Sequence, residues 1–215
     1  MKKVMLFFCI FSIVQQPFFG LSDGETKDNK TAFVVTLHGN IPSSFTNFLS
    51  RSLPPNVFAM VRITADKNEM PSVAIANLAS EAVKLKKTEE LGVIAIVFVP
   101  GELVFREYID LSSHVAVLNI APLAPSDIES KEGKELFKWR VLKQVTRLAA
   151  LLAGLEQCPF FLCAMFDCHN FEELDNKGRN LCPPCQLKME KLMAEKRLYL
   201  PPPDEIVPDF TGGKK

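Results

Sequence analysis

Two cysteine pairs dictate how the second half of this chain must close. Cys158 and Cys163 form a Cys-x4-Cys, and Cys182 and Cys185 form a Cys-x-x-Cys. A tight turn within each pair can bring both thiolates to one tetrahedral ion. One tetrathiolate zinc per chain, held by Cys158, Cys163, Cys182 and Cys185, is the expected occupant. Such a site contributes folding energy rather than chemistry. Disulfides within or across the pairs are the alternative in an oxidising compartment. Just before the first pair, LAALLAGL (Leu148 to Leu155) reads as a buried helix with good intrinsic propensity. Gly154 is placed to end it as a left-handed C′ residue.

The order of these landmarks resembles the archaemetzincins, a family of zinc metallopeptidases. Their motif runs His-Glu-x-x-His-x-x-Gly-x-x-His-Cys-x4-Cys-x-Met, followed after a gap by Cys-x-x-Cys. Gly154, Cys158, Cys163, Met165, Cys182 and Cys185 take the corresponding places. The flanks Arg140 to Lys143 and Asp175 to Asn180 also look like the family. The resemblance implies a metzincin-like α/β domain, with a structural zinc on the four cysteines. It also exposes specific losses. The three histidine ligands fall on Arg147, Leu151 and Gln157, and the catalytic glutamate falls on Leu148. No catalytic residue can be carried over.

These losses remove the reaction chemistry. Two histidines four apart share a helix face and converge on one ion, and a third leaves one position for water. The ion lowers that water's pKa from 15.7 to about 7, and the glutamate takes the proton. Losing roughly nine pK units corresponds to about 12 kcal/mol. Arg147 is a permanent cation and cannot ligate zinc. Leu148 and Leu151 carry no donor, and Gln157 offers one neutral amide oxygen. Apolar residues at former polar positions imply a cleft floor repacked as core. Retention of Met165 fits a packing role.

The amino-terminal half predicts the frame. Residues 1–22 read as a secretory signal peptide, with Lys2 and Lys3 before the apolar run Val4 to Val14 and small residues Gly20 and Ser22 near the cleavage site. Export to the periplasm or beyond follows, with no stable membrane span expected after cleavage. A polar, disordered lead-in is predicted over 23–30 and an archaemetzincin-like domain over 31–199. That domain contains a motif helix over 135–155 and a Cys-rich zinc segment over 156–186. A proline-rich flexible tail over 200–215 completes the chain.

Ala32 to Gly39, Val57 to Thr64, Gly92 to Gly101 and His114 to Leu123 read as strands, with a short strand or turn over Leu103 to Tyr108. Ile41 to Leu53, Pro71 to Lys87 and Gln186 to Leu198 read as helices. The alternation predicts an α/β fold with a mixed, mostly parallel sheet packed on helices. Gly92 to Gly101, the most hydrophobic strand, is expected at its centre. The resemblance further implies that Val115 to Ile120 borders the cleft.

Lys+Arg and Asp+Glu are equal at 25 each, so charge gives no reason to expect a nucleic-acid partner. The histidines, His38, His114 and His169, are far apart in sequence. Cys168 beside His169 lacks an orienting third group, and a free or disulfide-linked thiol is the simpler reading. Ser112 and Ser113 beside His114 lack a Gly-x-Ser-x-Gly elbow and read as a turn. The leading expectation is an exported, catalytically inactive archaemetzincin-like protein with one structural zinc that binds a peptide or protein. The alternatives are a hydrolase with a relocated site and a disulfide-linked envelope protein.

Overall fold

A computed structural model describes residues 33–38, 41, 43–53, 61–66, 75–100 and 107–196. The expected signal peptide, lead-in and tail lie outside these residues. Five strands form one sheet: β1 (Phe33–His38), β2 (Val61–Asp66), β3 (Gly92–Val97), β4 (Glu107–Asp110) and β5 (Val115–Asn119). Their spatial order is β2-β1-β3-β5-β4. All pairings are parallel except the last, β4 with β5. Gly92–Val97 is indeed the central strand.

The three inner strands, β1, β3 and β5, are buried along their whole length and largely apolar because both faces are covered, whereas the edge strands β2 and β4 are half-buried and carry charged residues. Phe33, Val35, Leu37, Ile94, Ile96 and Leu118 pack in one buried cluster, together with Phe45 and Leu49 of α1 (Ser43–Ser52) and Leu142 and Val145 of α3 (Lys131–Ala153). Val34, Val93, Ala95, Val97 and Val117 face the other way, against Leu78 and Ala82 of α2 (Ile75–Lys84). The chain steps outward from β1 to β2 and then back past β1 to β3. Crossovers of one hand then require α1 and α2 to lie on opposite faces.

The long helix α3 starts earlier than its apolar run indicates. The side chain of Ser130 accepts a hydrogen bond from the Gly133 N–H at 2.8 Å, and so caps a first turn that the polar composition had concealed. At the far end Gly154 sits at φ 106°, in the left-handed region that closes the helix. Leu148, Ala149, Ala150, Leu152 and Ala153 are buried, as the sequence implies. A stripe of polar residues on the same helix, Arg140, Lys143, Gln144 and Arg147, is buried as well.

Two short elements complete the carboxyl-terminal half. Helix α4 (Phe171–Asn176) is not foreseen in the sequence. Asn170 caps it by accepting from the Glu173 N–H, and the Glu173 carboxylate accepts from the His169 N–H. Helix α5 (Pro183–Glu195) begins three residues before the expected Gln186, since Pro183 suits a first helical position. The strand β5 lies inside the sheet, between β3 and β4. The outer edge is β4, which pairs with β5 alone among the described strands. No helix among the described residues is long and apolar enough to cross a membrane.

Candidate functional site

The four cysteines come together. Their sulfurs all lie within 4.8 Å of one another, and they form the one such group of metal-ligating residue types among the described residues. Cys158 Sγ and Cys182 Sγ are 3.8 Å apart. A tetrahedral zinc with Zn–S bonds of about 2.3 Å has an S···S edge of about 3.8 Å, so the donor set fits zinc in both chemistry and size. None of the five described cysteines is bridged to another, and the four-sulfur arrangement is the one a tetrathiolate zinc needs.

Local backbone bonds make the cluster. The Cys163 N–H donates to the Phe160 carbonyl, the Cys158 N–H to the Met165 carbonyl and the Ala164 N–H to the Asn180 carbonyl. The last bond joins the two halves of the segment. Gly178 is required beside it, because a Cβ there would fall on the Leu162 carbonyl. Cys182 caps α5 and Cys185 lies in its first turn, where the helix dipole favours negative charge. The N–H groups of Met165 and Cys182 point at Cys163 Sγ, at 3.4 and 3.3 Å.

Burial pushes the Cys163 and Cys185 thiols above their usual range. Burial opposes ionisation of Cys182 too. Hydrogen bonds from the Cys185 N–H and from the Cys185, Cys163 and Cys158 thiols nevertheless draw it below its usual value. Such a cluster ionises fully only around a cation.

The positions that the motif alignment sets against histidine ligands lie next to this segment. Arg147 is 4% exposed. It donates through one terminal nitrogen to Glu107 Oε1 and through the other to Asp167 Oδ1, each at 2.8 Å. Gln157 Nε2 donates to Asp167 Oδ2 at 3.1 Å. The first and third ligand positions therefore do converge, and Asp167 bridges them. Leu148 is fully buried in the main core, and Leu151 packs against its margin. Met165 is also fully buried in that core.

Further cations pin the same segment. Lys177 Nζ donates to the carbonyls of Ala164 and Phe166. Its pKa is lowered to about 8 by burial, with Arg147 and Lys143 adding to the shift and Cys168 and Glu107 opposing it. Lys143 Nζ donates to the Leu174 and Asp175 carbonyls. Arg140 makes a bidentate pair with Asp175, at 2.6 and 2.7 Å, and lies over the Phe171 ring.

Glu107, Asp167 and Lys177 escape a reading of the sequence. Glu107 is 40 residues from its arginine, and no spacing rule links them. Asp167 carries a weak signal, lying two residues past the motif methionine. Cys168 is a buried, reduced thiol and His169 an exposed residue, so the adjacent pair is split between two environments. Ser112 and Ser113 form a turn in which both hydroxyls donate to Asp110. These hydrogen bonds, the Ser112 and Ser113 hydroxyls first, lower the Asp110 carboxyl to about 2.

Comparison with known proteins agrees with this geometry. The model of a family described as peptidase family M54 matches residues 52–191. An archaemetzincin of Saccharolobus islandicus is 32% identical over 77 residues, which cover 36% of this chain and 42% of the relative. The match thus spans about two fifths of that relative's length. Among solved structures, an archaemetzincin of Methanopyrus kandleri superposes with a TM-score of 0.60 at 21% identity, covering 78% of this chain and 98% of the other. A zinc-dependent peptidase of Methanocorpusculum labreanum gives 0.58 at 14% identity, with 73% and 99% covered. An archaemetzincin of Archaeoglobus fulgidus, complexed with malonate, gives 0.53 at 18% identity, with 73% and 98% covered. At these identities the likeness is one of fold.

Proposed function

The chain belongs to peptidase family M54, the archaemetzincins, and on that premise we propose that it is an exported, catalytically inactive member that keeps one structural zinc and serves in binding. The observation that carries this reading is Arg147. Its guanidinium stands at the first ligand position with Glu107 and Asp167 as partners, and Gln157 shares Asp167. A fixed cation there repels a metal ion, and the neighbouring leucines offer it no ligand. Zinc on the four cysteines supplies folding energy when bound, because the thiolates are brought together only in the folded chain.

The ligand we infer is an extended peptide or protein segment. Among the described strands β4 has a neighbour on one side only, and strand addition along its other side is the binding mode we infer. The amino-terminal signal read in the sequence supports export. Cross-linking through the cysteines draws no such support, since all the described ones but Cys158 are buried.

Metal analysis of the purified mature chain tests this reading. One zinc per chain and no chelator-sensitive peptide cleavage are expected, whereas two zincs with cleavage would reject it. The variant Arg147→His/Leu148→Glu/Leu151→His/Gln157→His should acquire a second zinc. Since Leu148 is buried, the triple variant without Leu148→Glu serves as the folding control and should also take up the second ion. If either variant folds and still holds one zinc, the placement of the motif on α3 is wrong.

A further inference from the structure

A cavity lies away from the cysteine cluster, at the carboxyl ends of the parallel strands. The order in which strands are added to the sheet reverses between the parallel neighbours β1 and β3: β1 leads outward to β2, and β3 leads the other way to β4 and β5. In open α/β sheets the crevice outside such a switch point is where ligands bind. Here a cavity of about 400 Å³ opens at that place. That volume lies within the range of small-molecule sites, about 300–1,000 Å³.

Its apolar wall consists of Ile41, Phe45, Phe98, Ile120, Ile128 and Phe137. Phe98 is 52% exposed, a large aromatic surface left in water at the mouth. Lys134 and Lys138 also line the cavity, one turn apart on the same face of α3, against a single carboxylate, Glu129. The Glu129 side chain is 93% exposed and 3.5 Å from Lys134 Nζ. Lys138 pairs with Glu135 on the helix surface. Surface pairs of this kind exchange readily for another anion.

We propose that this cavity binds a medium-chain apolar carboxylic acid, its hydrocarbon body against Phe98 and Phe137 and its carboxylate between Lys134 and Lys138. The site is independent of the peptide-binding reading. Trp139, the single tryptophan of the chain, provides a reporter. Its ring meets Phe48 edge-on at 5.5 Å, and Phe48 in turn neighbours the cavity residue Phe45 at 6.4 Å.

Titration of the full mature chain with decanoate, decanol and decyltrimethylammonium, followed by Trp139 fluorescence and calorimetry, tests the proposal. Decanoate should bind saturably at one per chain and about tenfold or more tighter than decanol, the difference expected of one charge-assisted contact. Lys134→Gln/Lys138→Gln should abolish that preference and leave decanol binding unchanged. Phe98→Ala should weaken both acid and alcohol. Two results would overturn the proposal. One is decanol or the ammonium probe binding as tightly as decanoate. The other is no saturable binding of decanoate by a chain that ultracentrifugation shows to be folded and monodisperse.

Discussion

The cysteine cluster and the Arg147 cluster secure the same segment in different ways. In the first, four sulfurs surround a site that calls for a cation from solution. In the second, the cation is part of the chain, and Glu107, Asp167 and Gln157 close around it. A metal-dependent clamp is conditional on pH and chelators, whereas a guanidinium is charged at every accessible pH. The stretch after α3 can therefore keep its place at the old ligand positions without an ion, but not at the thiolates.

Metal removal separates the two most sharply. Structural zinc is worth about 10–16 kcal/mol in small zinc-binding peptides, as much as a whole domain's stability. Chelation, or Cys182→Ser, should abolish hydrogen-exchange protection of the Cys158 and Ala164 amides and leave the amides of β1 and β3 protected. Uniform loss across the sheet would mean that the two halves do not unfold separately.

Arg147→Met comes next. It strips the guanidinium from Glu107, whose side chain is 16% exposed, and should cost about 3 kcal/mol in urea unfolding. A neutral result would show that the ion pairs merely fill space.

Lys177 gives a smaller effect of definite sign. Its pKa is lowered to about 8 in the folded chain, against 10.5 for an ordinary lysine, so the unfolded chain binds more protons between those values. Stability attributable to Lys177 should rise from pH 8 to 10.5 by roughly 1–3 kcal/mol. It is measured as the pH-dependent gap between the native chain and Lys177→Met. A gap that narrows as pH rises would contradict the assigned environment.

The smallest effect is expected at Gln157. It meets Asp167, whose side chain is 38% exposed, so Gln157→Ala should change stability by about 0.5 kcal/mol or less. A larger loss would make Gln157 an essential part of the cluster rather than its rim.

What the sequence disclosed followed from short-range rules. The β3 strand, the buried run of α3, the left-handed Gly154 and the two close cysteine pairs are all set by periodicity or spacing over a few residues. The edge role of β4 was hidden because which strand lies outermost depends on the order in which the sheet assembles. The start of α3 was masked by a polar first turn that only its Ser130 cap reveals. The salt links of Arg147 to Glu107 and of Arg140 to Asp175 join residues brought near by the fold alone, and no local pattern encodes them.

Leu148 bears on what an acidic side chain at this point of α3 would require. With its side chain wholly enclosed among Val145, Leu152 and the strands, restoring an acid there would place an unneutralised carboxylate in hydrocarbon until metal and water arrived to solvate it. A glutamate introduced at this position alone therefore yields a less stable chain, and the acid is tolerated only together with the groups that would solvate it.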